Sequence, residues 1–219
     1  MRLEKSASAA KPADAWIYGT TKVVPSRQEY WRHEKYMTNY TLAMFFHFLG
    51  LVALFVGYGL EWVVSGLLRQ ATTTDQVRAW LRVYRTSLPI SGPGLLILIL
   101  SGGYLASLSG SMKQGWISAS LLAIVFALGI GFVFILPRVR AIRGALPEGS
   151  GGLPANVSAL LQAPAIPTLI RVRGLLALGI VYLMTVKPES LGASLLILGV
   201  AIILGILASA GTFPKPKAA

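Results

Sequence analysis

Hydrophobic residues along this chain gather into five long stretches, over residues 38–65, 90–109, 116–136, 168–186 and 191–210, and most of the charge lies between and outside them. A helix crossing a bilayer core of about 30 Å needs about 20 mainly apolar residues, and each stretch supplies about that many or more. Within hydrocarbon the backbone must satisfy its own hydrogen bonds, which leaves helices and closed barrels. Residues 95–100 and 121–128 are apolar on every face, unlike the in-and-out alternation of barrel strands. The pattern predicts an all-α polytopic transmembrane helix bundle of five spans over 38–210. A polar N-terminal extension (1–37) precedes it and a short tail (211–219) follows.

The connections carry their own patterns. In 74–88, Val77, Trp80, Leu81, Tyr84 and Leu88 recur at helical spacing opposite Arg78, Arg82 and Arg85. This predicts a short interfacial amphipathic helix between spans 1 and 2. Thr73 or Thr74 caps it, Asp75 complements its dipole, and Pro89 ends it. Ser91, Gly92, Pro93 and Gly94 then form a kinked entry into the second span. Tight turns at 111–114 and 187–189 predict hairpins between spans 2 and 3 and between spans 4 and 5. The Gly- and Pro-rich segment 144–167 reads as a long, mobile loop. Residues 1–14 read as flexible. The aromatic remainder of the extension (Trp16, Tyr18, Tyr30, Trp31 and Tyr36) reads either as an interfacial anchor or as a docking arm for a partner subunit. Residues 1–36 lack an apolar core and a cleavage pattern, so the first span is expected to act as the insertion signal, with Met37 as an alternative start.

Composition agrees with a membrane solvent. Of the 219 residues only 13% are charged and mean hydropathy is +0.65, against about 25% charged residues in soluble domains. The net charge of +12 comes with basic residues beside the spans, Arg78, Arg82, Arg85, Arg138, Arg140 and Arg143 among them. Contact with lipid headgroups therefore explains it better than nucleic acid does. With no cysteine, disulfides, thiolate metal sites and cysteine nucleophiles are excluded. Eleven basic residues near the spans fall on one side (Arg69, Arg78, Arg82, Arg85, Arg138, Arg140, Arg143, Arg171, Arg173, Lys215, Lys217) and six on the other (Lys22, Arg27, Arg32, Lys35, Lys113, Lys187). This places the C-terminus in the cytoplasm and the N-terminus outside.

Candidate chemistry is sparse. His47 is the only histidine within a span, on a face shared with Ala43, Gly50, Leu54, Gly57 and Glu61. The two glycines leave room beside it for a bulky planar group or for another helix. His47 is thus either hydrogen-bonded to a carbonyl or serine in the bundle, or an axial ligand to a metal or to a tetrapyrrole of haem b or chlorophyll type. Glu61, about 20 Å farther along the helix, is expected to pair with Arg69 or Arg85. Arg171 and Arg173 are expected to snorkel to headgroups. Small residues recur every four positions at Ala119, Ala123, Ala127 and Gly131, and again at Ala201, Gly205 and Ser209. They allow close helix packing, either within the bundle or against another protein. Spans 2 to 5 contain no acidic residue, and the chain lacks hydrolase triads, HExxH and phosphate-binding glycine loops. The reading is a non-catalytic accessory subunit of a larger membrane complex, with tetrapyrrole binding or electron transfer through His47 as the alternative.

Residues 44–50, Leu88 with Pro89, 94–106, Gly115 to Ile117, Leu136 to Arg138 and 182–188 resemble a bacterial family of predicted integral membrane proteins, domain of unknown function 2269. The resemblance covers roughly residues 40–190 and implies a bacterial inner-membrane, multi-pass protein. That family is similar, at a distance, to copper-resistance-D-like proteins and to the membrane protoporphyrinogen oxidase. In the oxidase a first-span histidine ligates haem, a place His47 matches. The oxidase's lysine in the span that opens Gly-Trp is replaced here by Ser118, Ala119 and Ser120.

Overall fold

The computed structural model describes residues 27–210, with side chains over 37–209. The segment 1–26, the side chains of Tyr30, Trp31 and Tyr36, and the C-terminal tail lie outside the described residues. The order is α1 (Arg27–Gln70), α2 (Thr74–Leu108), α3 (Gly115–Gly129), α4 (Leu136–Gly144), α5 (Ala155–Gln162), α6 (Ala165–Val186) and α7 (Leu191–Ala210). A π-helical turn, Ile130–Ile135, joins α3 to α4, and a 3-10 turn at Ser111–Lys113 closes the α2–α3 hairpin. Among the described residues there are no strands. Five helical spans are long and apolar enough to cross a membrane: Met37–Gln70, Thr74–Leu108, Gly115–Gly144, Ala155–Val186 and Leu191–Ser209.

Helix α2 departs from expectation. It is one continuous helix through Pro89 and Pro93, so the amphipathic segment is its first half and not a separate interfacial element. Thr73 caps it as expected, accepting the amide of Gln76. Its apolar face turns inward: Val77 and Leu81 join Val64 and Leu68 of α1, Val139 and Ile142 of α4, and Val157 and Leu161 of α5 in one core. Packing against protein leaves that face no reason to lie on the bilayer. Prolines are tolerated in such spans because neighbouring groups satisfy the freed carbonyls.

The loop after α4 is pinned, which corrects the expectation of mobility. Arg78 donates to the carbonyls of Gly149 (2.8 Å) and Pro147 and also meets Asp75. The Thr74 amide donates to Gly151 (3.1 Å), and Gln162 reaches the carbonyl of Arg69 (2.9 Å). With α5 inside it, the segment covers the basic end of the bundle.

The small-residue stripes face inward. Ala119, Ala123 and Ala127 are buried against Leu176, Ile180 and Leu183 of α6 and Leu198 of α7. Ala201 stands opposite Gly179, and a Cβ on Gly205 would meet the Cα of Val172 at 2.6 Å. The buried face then continues through Ile130, Ile135, Val139 and Ile142. The π turn inserts one extra residue between Ile130 and Ile135 and is followed by Pro137 in the first turn of α4. Proline cannot donate to the residue four before it and its ring crowds that carbonyl. The Leu136 amide instead bonds Gly131, five back, and Arg138 donates to the carbonyl of Phe134 at 2.8 Å.

Candidate functional site

One turn before the basic end, α1 and α6 bring charged groups into the apolar interior. Glu61 forms an ion pair with Arg173 of α6, both side chains being buried. The Arg173 guanidinium also sits 4.4 Å from the Tyr58 ring centroid. A Cβ on Gly131 would lie 2.6 Å from its Nη1, so the last member of the α3 stripe makes room for this cation. Ser87 of α2 is 3.2 Å from the second Glu61 oxygen and 2.8 Å from the carbonyl of Tyr84. Arg171, buried to 8% exposure, lies 5.6 Å from the Trp62 ring.

Glu61 therefore pairs with neither Arg69 nor Arg85, and Arg171 and Arg173 do not snorkel outward. A charge held in the bundle is cheaper beside a counter-charge and an aromatic face than beside lipid. The available sequence signal was Arg173 itself, several residues inside the fourth apolar stretch, with Glu61 the only acid in any stretch. Their separation of 112 positions hid the match.

Above the pair lies a cavity of about 460 Å³ between α1, α2 and the third span, within the usual range of about 300–1,000 Å³ for ligand sites. Arg85, Arg140, Arg143 and Arg173 line it with Glu61 as the single acid. Glu61 is already engaged by Arg173. Among the described residues the guanidinium groups of Arg85, Arg140 and Arg143, and the hydroxyls of Tyr58, Tyr84 and Ser91, have no hydrogen-bond partner. A second hollow of about 410 Å³ adjoins it and shares Arg85 and Arg143, with Arg78 and Arg82 beyond. Arg138 lines neither. Of the six arginines that the sequence assigned to the headgroup layer, Arg78 clamps a loop, Arg138 caps the π turn, Arg82 lines only the second hollow, and Arg85, Arg140 and Arg143 border the first with exposed side chains.

His47 lies outside this cavity. Its Nδ1 shares a 3.2 Å hydrogen bond with the Ser101 hydroxyl, whose oxygen is also 2.6 Å from the Ile97 carbonyl. Gly50, Gly57 and Gly102 do not form a slot for a planar macrocycle. Added Cβ atoms would meet the backbone of Gly94 and Leu98, the Ser91 side chain and the His47 ring itself. The room the glycines create is filled by α2. We expect His47→Phe to cost about 0.6–1.7 kcal/mol, the range for single interhelical hydrogen bonds in membranes, as read from unfolding in mixed micelles. The visible spectrum should not change; a Soret band lost in the variant would instead assign an axial ligand.

These features define a multi-pass integral membrane protein with a basic, donor-rich hollow whose lining arginines Arg85, Arg140 and Arg143 are exposed. The family model described as predicted integral membrane protein (DUF2269) matches residues 41–188, more than half of the 219-residue chain, and the chain belongs to that family. The matched region holds every cavity residue and ends before α7. No curated protein and no solved structure matches the chain.

Proposed function

We propose that this membrane protein is a non-catalytic component that binds an anionic ligand in the cavity. The observation that carries the reading is the excess of unengaged donors. Of the lining arginines and hydroxyls, three of each are unengaged among the described residues, while the cavity's only carboxylate is occupied by Arg173. Such a lining favours negative charge. By the distribution of basic residues the cavity lies toward the cytoplasmic leaflet. A place in a larger complex draws no support from the small-residue stripes, because both are used inside the bundle.

The test is the unfolding midpoint of the full chain in an uncharged detergent at fixed ionic strength. Pyrophosphate or phosphatidylglycerol should raise it relative to phosphatidylcholine. Arg140→Gln combined with Arg143→Gln should abolish the gain, since hydrogen bonds to charged groups contribute roughly 1.5–3 kcal/mol each. Arg138→Gln should retain it. A midpoint unmoved by either anion would refute the reading.

A further inference from the structure

The cavity is not uniformly polar. Arg85, Arg140 and Arg143 stand at one end and Leu54, Leu95, Leu128 and Phe132 line the other, with the Glu61–Arg173 ion pair reaching in beside Gly131. From Arg85 to Leu95 along α2 is about 15 Å at a rise of about 1.5 Å per residue, and Arg140 to Leu128 covers a similar length of the third span. The slot therefore runs from the basic end of the bundle toward the bilayer interior.

It also meets lipid sideways. Leu88 and Phe132 line the slot, yet they are 57% and 55% exposed on the bundle surface. Between them α2 presents Pro89 and Gly92, residues without a long side chain to close the gap. Helix α3 packs on α6 and α7, and the cavity stands between the third span and α2.

From this geometry we infer that the ligand is an amphiphile with a phosphate-class anionic head and a single apolar chain. It enters laterally from the leaflet at the basic end. The head lies among Arg85, Arg140 and Arg143; the chain lies along Leu54, Leu95 and Leu128. This rests on the anion-binding reading of the same cavity. A free phosphate would use the head end alone and leave the apolar wall uncovered. An amphiphile covers both, and each methylene buried is worth about a fourfold gain in affinity.

The experiment compares glycerol 3-phosphate, oleoyl lysophosphatidate and oleoyl lysophosphatidylcholine, each titrated against the full chain in dodecyl maltoside, with binding read from the unfolding midpoint. Lysophosphatidate should bind at least tenfold tighter than either of the others. Leu128→Trp, which fills the apolar end, should reduce the advantage over glycerol 3-phosphate to less than threefold and leave the advantage over the choline lipid; the wild-type comparison stands on its own if this variant does not fold. Arg140→Gln with Arg143→Gln should weaken lysophosphatidate at least tenfold and Arg138→Gln less than twofold. Equal binding of glycerol 3-phosphate and lysophosphatidate would overturn the amphiphile and leave the anion site standing. Equal binding of the two lysolipids would overturn the anion reading with it. Equal losses in the Arg138 variant and the double variant would show surface adsorption and overturn the site.

Discussion

Arg173→Met is expected to lower the unfolding free energy by about 3–5 kcal/mol, the usual cost of leaving one member of a buried ion pair without its counter-charge. Glu61 has a Ser87 hydroxyl nearby, but among the described residues Arg173 is its only cation. Adding Glu61→Leu to that variant should recover most of the loss, because apolar residues of similar size often replace a buried pair at little cost. Unfolding in mixed micelles for the two single variants and the double variant measures the coupling directly. Additive losses would mean that the two side chains do not act as a pair. The same pair fixes the register of α6 against α1, together with Arg171 on Trp62 and Gly174 at 3.7 Å from a Cβ to that ring.

A second large effect is expected at the crossing of α1 and α2. A Cβ on Gly50 would stand 2.7 Å from the Gly94 carbonyl oxygen and 2.9 Å from the Leu98 nitrogen. Those atoms are helix backbone and cannot rotate away. Gly50→Val should therefore force the helices apart, at the upper end of the roughly 1–3 kcal/mol seen for overpacking or beyond it. Gly59→Ala, nine residues along the same helix with nothing within 4 Å of the new methyl, should stabilise by roughly 0.5–1 kcal/mol. Opposite signs at the two glycines in one unfolding assay would establish the close contact. Matching small effects would remove it.

The five spans were legible because solvent dictates them: a stretch such as 191–210 has no polar face to bury, so length and composition suffice. Hairpin connections were legible for the same reason, being too short for anything else. What the sequence concealed depends on which face of one helix meets which face of another. The pattern at 74–88 is truly amphipathic, but whether its apolar side covers lipid or Val64 and Val139 is decided by tertiary packing. Pro89 looked like a helix end because its lost hydrogen bond is local, whereas the helix runs on through it to Leu108. The loop at 144–167 looked mobile because Gly149, Gly151 and Pro147 are poor formers of regular structure. Arg78 and Thr74 pin it through its carbonyls, which every sequence possesses. His47 with Ser101 was among the stated alternatives; the specific serine was not. The cavity was least legible of all, since Arg85, Arg140 and Arg143 resemble any basic flank until the π turn and α2 set them on one hollow.

Because the chain contains no cysteine, a single introduced thiol reports its own surroundings without background. Leu88→Cys and Leu128→Cys line the cavity, while Val125→Cys on the same span as Leu128 is 65% exposed on the apolar surface. Reaction with a negatively charged and a positively charged methanethiosulfonate reagent, each normalised to a free thiol, measures water access and local potential together. A basic, water-reachable cavity requires the two lining thiols to react at least tenfold faster with the anionic reagent, and the thiol at 125 to react with neither. Lining thiols as inert as the one at 125, or faster with the cation, would contradict it.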